Sequence, residues 1–141
     1  MKSPNSSYKR AKNKAWKWFS KFIRLRDCIK TTGFPDQGKC VTCPKYYPYE
    51  EFQAGHAIPG RNMSILFDEK LVNAQCTDCN IKKGGNYKEY KKWYINEYGE
   101  DDYNEKKILS KQLNKMSVPE LEEKAIEYEE RYSKLSEEYP L

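Results

Sequence analysis

Four of the five cysteines stand in two Cys-x-x-Cys pairs, an arrangement that binds metal ions in proteins. The pairs are Cys40 with Cys43 and Cys76 with Cys79, and 32 residues separate them. A two-residue gap lets both thiolates of a pair approach one ion from a tight turn, and two pairs complete a tetrahedral shell of sulfurs that suits zinc. The spacing therefore predicts a structural zinc site that ties together the two ends of the intervening segment. The fifth cysteine, Cys28, is predicted to be a small buried side chain.

The only histidine, His56, lies between the two cysteine pairs, in the stretch QAGHAIPG. Three interpretations are open: a histidine without a function, a zinc ligand in place of one cysteine, and a general base that takes a proton from water. The neighbouring residues favour the general base, because EFQAGHAI and EKLVNAQC can form two strands and CNIKKGGN can begin a helix. A hairpin that leads into a short helix would place His56 opposite Asn80.

The elements that must position these side chains follow from the hydrophobic pattern. A helix is predicted over 10–31, where the stretch TTGFPDQG ends it, and a second helix over 86–98, where Gly99 ends it. Residues 39–80 contain too many turn residues for a long helix and are predicted to form short extended segments. The pattern predicts an α+β fold.

The end of the chain is also predicted to be helical. A short helix is expected over 103–115, and the stretch SVPE, with Ser117 as the cap and Glu120 three residues later, predicts the start of a last helix. An apolar stripe with alternating four- and three-residue spacing follows. It consists of Leu121, Ala125, Tyr128, Tyr132, Leu135 and Tyr139. Such a stripe packs either on the chain's own helices or on a second copy in a dimeric coiled coil.

The net charge of +5 is unevenly distributed along the chain. Residues 1–30 carry +9, residues 31–95 carry +2 and residues 96–141 carry −6. The aromatic residues Trp16, Trp18 and Phe19 stand among Lys14, Lys17 and Lys21. This arrangement is typical of nucleic-acid binders, although a solvated basic helix without a partner explains the charge equally well. No apolar stretch of about 18 residues is present, so no membrane span is expected.

Several motifs resemble, in the same order, those of the phage NinG (Rap) recombination proteins, which belong to the HNH, or ββα-metal, nuclease superfamily. The motifs are IRLRD, the first Cys-x-x-Cys pair, QAGHAIPGRN, LFDE, AQCTDCN and GGNYKEY. They cover roughly residues 19–99, and a similar acidic helical tail follows. The resemblance implies a zinc-stapled ββα-metal (HNH-like) core within residues 1–99, which include the basic N-terminal helix. It also implies an acidic helical tail over 100–141 that packs on the core or dimerises.

The resemblance also implies roles for individual side chains. His56 would be the general base, and Asn80 would bind a catalytic Mg²⁺ or Mn²⁺ ion that holds the scissile phosphate. Arg61 would act at the site and, with Lys82 and Lys83, would contact DNA phosphates. The remaining positions assigned to nucleic-acid binding are Lys14, Lys17, Lys21, Arg24 and Asn86.

The sequence departs from the superfamily pattern at two points. Gly55 stands where many HNH enzymes have a second metal ligand, so that ligand is expected to come from Asp68, from Gln53 or from water. The family tends to have asparagine and then histidine at the positions of Leu71 and Asn73. Leu71 cannot orient the base by a side-chain hydrogen bond, and Asn73 is the candidate to do so in its place.

Three functions are therefore weighed. The first is a metal-dependent DNA endonuclease of phage or prophage recombination, with branched, Holliday-type DNA as a candidate substrate and the cytoplasm of the bacterial host as its location. The second is a zinc-dependent DNA-binding accessory protein of recombination without catalysis. The third is an adaptor that acts through the acidic tail. A homodimer through the C-terminal helices would suit a two-fold symmetric DNA junction.

Overall fold

The computed structural model describes residues 4–141 and opens with a long helix, α1 (Pro4–Thr32). It begins six residues before the predicted start and ends at Gly33, whose φ of +81° and whose N–H bond to the Ile29 carbonyl (2.8 Å) close the last turn. Side chains at helical spacing bury one face of this helix. They include Ala11, Ala15, Phe19, Phe22 and Ile23.

Two short strands follow, β1 (Gln37–Lys39) and β2 (Tyr46–Pro48), which pair antiparallel with Gly38 opposite Tyr47. Gly38 packs directly on α1, where a Cβ atom would lie 2.9 Å from the Cα of Cys28. This close approach requires glycine. The hairpin carries Cys40 and Cys43 in its loop.

A second antiparallel pair forms the centre of the molecule. It consists of β3 (Phe52–His56) and β4 (Val72–Cys76), with His56 opposite Val72. The connection between them contains one helical turn, α2 (Met63–Leu66). These short strands agree with the extended segments predicted for 39–80, and the α+β class is confirmed.

A wide helical turn over Asp78–Lys82 leads from β4 to α3 (Tyr87–Tyr98), one residue shorter than the helix predicted over 86–98. Gly99, at φ +93°, ends α3 and immediately precedes α4 (Glu100–Ser110). The prediction of 103–115 was wrong at both ends. Three acidic residues in the first turn of α4 stabilise an earlier start, because their charges complement the helix dipole.

The last helix, α5 (Val118–Glu138), begins with the predicted capping box between Ser117 and Glu120. The first half of its apolar stripe is buried within the chain. Leu121 and Ala125 pack with Ala11 and Ala15 of α1, and Tyr128 packs edge-on against Phe19 at 4.9 Å. These residues are covered by the chain itself, so pairing with a second copy stays a prediction for the rest of the stripe.

One acidic side chain ties α5 to the connection between β3 and β4. Arg131 donates two parallel hydrogen bonds of 2.9 Å to the carboxylate of Glu69, and the Tyr128 hydroxyl donates a third at 3.0 Å. From the other side, Arg26 of α1 donates to the Glu69 carbonyl oxygen at 2.8 Å. The first and last helices therefore hold the same residue. No helix in the described part of the chain is long and apolar enough to cross a membrane.

Candidate metal centre and active-site cleft

The four cysteines of the two pairs converge on one point. Their Sγ atoms all lie within 4.8 Å of one another, and those of Cys43 and Cys76 are 3.8 Å apart. Zinc–sulfur bonds of about 2.3 Å place tetrahedral sulfurs about 3.8 Å apart, so the cluster fits a zinc ion. Within residues 4–141 it is the only group of three or more His, Cys, Asp or Glu side chains that could hold a metal ion. His56 is not part of it, and the interpretation as a zinc ligand is wrong.

N–H groups point at the sulfurs and favour the thiolate form that zinc requires. The backbone N–H of Cys76 donates to Cys40 Sγ at 3.3 Å, and that of Cys79 donates to Cys76 Sγ at 3.5 Å. Asn86 donates from its side-chain amide to Cys79 Sγ at 3.6 Å. The structure therefore places Asn86, predicted to contact nucleic acid, against the sulfur cluster.

The fifth cysteine lies outside the cluster. Cys28 is fully buried on α1, as predicted, and burial raises the pKa of its thiol to about 12. A thiol with that pKa stays protonated and unreactive at neutral pH.

A cleft of about 540 Å³ lies between α1 and the β3–β4 pair. Trp16, Ser20 and Arg24 line it from α1, and their four-residue spacing makes them one row along the helix. The residues of its other walls are Phe52, Gln53, Ala54, Gly55, His56, Arg61, Asn80, Ile81 and Tyr87. The cleft therefore brings His56, Arg61 and Asn80 together; of these, the sequence analysis had placed His56 opposite Asn80.

Two contacts fix the ring of His56, which is only 6% exposed. The indole of Trp16 stacks on it at 5.5 Å with 14° between the planes. Its Nε2 atom lies 3.2 Å from the carbonyl oxygen of Leu66, at the end of α2. Because a carbonyl oxygen only accepts, the neutral ring carries its proton on Nε2, and Nδ1 keeps the lone pair.

The protonation state of His56 follows from its surroundings. Burial lowers the pKa of the imidazole to about 4, and the positive charge of Arg61 acts in the same direction. The ring is therefore neutral at pH 7 and able to accept a proton at Nδ1.

Asn80 lies beside Gln53 in the same cleft. The turn that contains Cys79 positions Asn80, whose side-chain amide donates a hydrogen bond to Gln53 Oε1. The Oδ1 atom of Asn80 accepts no hydrogen bond from the residues that the structure describes. Amide oxygens of this kind are ligands for hard cations such as Mg²⁺ and Mn²⁺.

Asp68 does not lie with Asn80. Its Oδ1 atom accepts hydrogen bonds from the backbone N–H groups of Lys70 and Leu71, at 2.9 and 3.1 Å. Its Oδ2 atom pairs with Lys106 at 2.6 Å. These bonds form the turn into β4, and Asp68 is not among the lining residues of the cleft. Of the two side chains proposed as the second cation ligand, the structure brings Gln53 to Asn80.

Asn73 and Leu71 do not contact the histidine. Asn73 is opposite Gly55 in the strand pair, one position from His56, so its side chain lies on the other face. There it donates to the hydroxyl of Tyr90 at 3.1 Å. The side chain of Leu71 is buried in the apolar cluster between the β3–β4 pair and α3. The ring is oriented instead by the Leu66 carbonyl, a backbone atom that no residue type reveals.

Gly55 is explained by its neighbour across the strands. A Cβ atom at this position would lie 2.0 Å from Oε1 of Gln75. Gln75 is fully buried, and its amide donates to the Thr42 hydroxyl (3.0 Å) and to the Gly85 carbonyl (2.8 Å). The space for a metal-binding side chain before His56 is therefore filled by Gln75.

Arg61 stands at the rim of the cleft in a strained backbone conformation. Its φ of +46° is left-handed, which is uncommon for a residue other than glycine, and it follows Gly60 at +108°. The guanidinium lies 4.6 Å from the centre of the Trp16 ring. The adjacent Asn62 anchors the loop by donating to the Ser110 carbonyl at the end of α4. The strained backbone therefore holds the guanidinium of Arg61 over Trp16, the ring that stacks on His56.

Of the other basic residues predicted to bind nucleic acid, Arg24 lines the cleft, whereas Lys14 lines a separate groove between α1 and α5. Lys14 and Lys17 are exposed on α1, and Lys21 lies 5.0 Å from the Trp18 ring. Arg24 stacks over Tyr49 at 4.8 Å. Lys82 and Lys83 are exposed in the turn after Asn80, at 4.0 and 3.9 Å from the Asp78 carboxylate.

The sequence analysis assigned no role to Ser20 or Tyr87, which line the cleft, or to the Leu66 carbonyl, which holds the histidine ring. Ser20 has no motif to mark it, Tyr87 stands in GGNYKEY beside the assigned Asn86, and the Leu66 carbonyl is a backbone atom. The spacing of Ser20, four residues after Trp16 and four before Arg24, is the one signal that would have found a member of this set.

Together these features define a class of small α+β protein in which a four-cysteine cluster able to bind zinc adjoins a cleft with a neutral histidine. The chain belongs to the NinG family: residues 2–138 match the family described as Bacteriophage Lambda NinG protein. No curated protein and no solved structure matches the chain. Family membership supports a role in phage recombination.

Proposed function

We propose that this chain is a metal-dependent DNA endonuclease of phage recombination with an HNH-like ββα-metal site. The observation that carries the proposal is the neutral His56, held by the Leu66 carbonyl in a cleft that also contains Asn80 and Arg61. The opposite wall is the row of Trp16 and Arg24 on the basic helix α1. A neutral base beside cationic side chains suits phosphodiester hydrolysis, because the base can accept a proton from water and the cations stabilise the charge that develops on the phosphate.

In the proposed reaction, Nδ1 of His56 takes a proton from a water molecule whose oxygen attacks the phosphorus. The bond to the 3′ oxygen breaks as the new oxygen–phosphorus bond forms, and the leaving 3′ oxygen takes a proton from solvent water. The hydrogen bond from Nε2 to the Leu66 carbonyl strengthens when the ring becomes positive and so stabilises the protonated base. Arg61 holds the charged phosphate oxygens.

Asn80 and Gln53 are the residues that would hold Mg²⁺ or Mn²⁺, which, when bound, supplies positive charge at the scissile phosphate. Their amide oxygens suit such a hard cation. The lining residues of the cleft, all within the described range, include no carboxylate. We therefore expect the cation to bind the free protein weakly, with a Kd on the order of millimolar.

The decisive experiment replaces the base. His56→Ala should lose cleavage of supercoiled plasmid by roughly 10²–10⁴-fold in Mg²⁺ or Mn²⁺, the usual contribution of a general base. Zinc content and DNA affinity should match the parent, because His56 lies outside the cysteine cluster and its neutral ring adds no positive charge to the DNA-binding surface. Added imidazole, which fills the vacated site, should restore part of the rate. Equal cutting by the variant and the parent would refute the proposal.

A second candidate function is DNA binding without catalysis. One observation in its favour is the position of Asn73, whose side chain lies on the face of the β3–β4 pair away from His56. Another is that the lining residues of the cleft include no carboxylate. Under this alternative, the protein would shift duplex and four-way-junction DNA in a salt-dependent manner and cut neither with any divalent cation. Assays on duplex, single-stranded and junction DNA therefore separate the two functions and identify the preferred DNA structure.

A further inference from the structure

Four buried or half-buried polar side chains that the proposed chemistry does not use form one hydrogen-bonded network. They are Arg26, Asp27, Asn73 and Tyr90. Arg26 and Asp27 belong to the motif IRLRD, and Tyr90 ends the motif GGNYKEY. None of these three has a role in the cysteine cluster or in the cleft.

The network begins where α1 meets β4. Asp27 accepts a hydrogen bond from the Ala74 N–H at 2.7 Å, and Arg26 donates to the Val72 carbonyl at 3.1 Å. The two side chains also pair with each other at 2.8 Å. The same nitrogen of Arg26, Nη2, also donates to Oδ1 of Asn73 at 3.0 Å. Helix α1 is therefore bonded to the one edge of β4 on which the Val72 carbonyl and the Ala74 N–H lie.

The network continues from β4 to β3 through two side chains. Asn73 uses its two amide protons on the Lys70 carbonyl at 3.0 Å and on the Tyr90 hydroxyl at 3.1 Å. Tyr90, which is fully buried on α3, donates from that hydroxyl to the Gly55 carbonyl at 2.6 Å. Its other contact, to the Leu71 carbonyl, is longer at 3.3 Å.

We propose that this network positions His56, with Tyr90 as the positioning residue that contacts the histidine's own backbone. The Gly55 carbonyl belongs to the peptide group whose nitrogen is that of His56. The following peptide is held by the bond from the Ala57 N–H to the Leu71 carbonyl at 2.8 Å. Both peptides that flank the base are therefore fixed, and the first of them is fixed by a side chain, through the bond from the Tyr90 hydroxyl to the Gly55 carbonyl. The inference rests on the proposed function for its kinetic consequence alone.

The position of His56 matters because catalysis by a general base is sensitive to small displacements. A displacement of the base by about 1 Å lowers the rate roughly 100-fold. The Leu66 carbonyl and Trp16 fix the ring, but they cannot correct a displaced backbone. Without the Tyr90 hydroxyl, the Gly55 carbonyl loses its bond to α3, and the Gly55–His56 peptide is held by the strand pairing with Asn73 without support from that side.

The test is Tyr90→Phe, which keeps the ring and removes the hydroxyl. Tyr94→Phe is a matched control, because Tyr94 is equally buried one turn later on α3 and its hydroxyl bonds to Asp102, away from the cleft. The chain has one histidine, so a ¹H–¹³C NMR spectrum selective for histidine rings reports His56 alone. Cleavage kinetics, zinc content and DNA affinity complete the measurement.

We expect Tyr90→Phe to shift the His56 ring signals and to lower kcat by roughly 10- to 100-fold, with KM within about twofold of the parent. Tyr94→Phe should leave the His56 ring signals, kcat and KM unchanged. If Tyr90→Phe does not fold, Asn73→Ala, which removes the amide that donates to the same hydroxyl, should give the same shift. Unchanged ring signals, or the same shift in Tyr94→Phe, would overturn the inference. If the parent does not cut DNA, the proposed function fails and the NMR comparison still decides this one.

Discussion

A single backbone oxygen determines which nitrogen of His56 is available for chemistry. The Leu66 carbonyl takes the Nε2 proton, and burial keeps the ring neutral. Such a partner is independent of side-chain identity, so substitution of Leu66 by another apolar residue leaves the hydrogen bond in place. The ring of His56 therefore has an orienting partner although Leu71 offers no side-chain hydrogen bond.

The buried histidine makes the stability of the fold dependent on pH. The pKa of His56 is about 4 in the folded chain and about 6.5 when unfolded. As the pH falls from 6.5 to 4, the unfolded state binds a proton that the folded state does not, so stability decreases, by up to about 3 kcal/mol. Denaturant titrations of the parent and of His56→Gln at pH 7.0, 6.0 and 5.0 should diverge, with the parent losing more.

Other titrating groups are present in both the parent and His56→Gln, so their effect on stability cancels when the two pH dependences are compared. Burial raises the pKa of Glu69, but its bonds from Arg131 outweigh that effect, and the net shift is downwards. Such a carboxylate stabilises the fold above its unfolded pKa, and its contribution is lost only at lower pH in both proteins. Parallel curves for the parent and His56→Gln would contradict the buried, neutral histidine.

Residue type and spacing were sufficient to predict the cysteine cluster and the meeting of His56 with Asn80. The details around them were not predictable, because they depend on atoms that meet only in the fold. Gln75 fills the space beside Gly55, although the two residues are 20 positions apart in the chain. Asp68 was a reasonable cation ligand by type, but a nearby Lys106 and two backbone N–H groups occupy it.

At the scale of elements, the β1–β2 loop and the turn after β4 are short, and the cysteine cluster joins them. Structural zinc sites contribute on the order of 10 kcal/mol or more to small domains. We expect one zinc per chain by metal analysis, and we expect Cys76→Ser to lose the metal and to unfold the region between residues 37 and 82. The control is Cys28→Ala, which should retain one equivalent of zinc because Cys28 lies outside the cluster. Carefully purified parent protein without zinc would contradict this prediction.

Helix α1 is the element whose charge should dominate binding to DNA. Lys14 and Lys17 are exposed, and each phosphate contact adds about 0.9 to the slope of log affinity against log salt. Replacing both by glutamine should lower that slope by about 1 to 2. The same change at Lys111 and Lys115, which are exposed after α4, should not alter it. Equal slopes for both double variants would exclude α1 as the DNA-binding element.

The existence of the helices was predictable because their apolar spacing is regular, whereas some of their ends were not. The start of α4 was misplaced by three residues, since Glu100, Asp101 and Asp102 were read as part of a connection. Gly99 was correctly predicted to end α3, but a glycine at that place also allows the next helix to begin at once.

At the scale of the whole molecule, α5 serves as part of the core. Leu121, Ala125 and Tyr128 are buried on α1, and Arg131 bonds to Glu69. The acidic tail is therefore packed on the basic helix, close to the connection that leads to the active-site cleft.

Truncation after Met116 should accordingly unfold the protein, because it exposes Phe19 and the two alanines of α1 that α5 covers. Circular dichroism and heat denaturation of the truncated chain test this. A homodimer through Leu135 and Tyr139 at the far end of α5 stays a prediction, and light scattering of the full-length protein decides it. A truncated chain that is folded and nicks DNA would show that α5 is dispensable.

The double hold on Glu69 has a consequence for the order of events during synthesis. During synthesis the bonds from Arg131 and Tyr128 to Glu69 form only after α5 has left the ribosome, whereas the bonds that tie the same connection to Arg26 and to α4 can form before it. The connection beside the histidine cleft is therefore secured from both sides only once α5 is present. The truncation after Met116 reproduces the stage at which the earlier bonds alone exist.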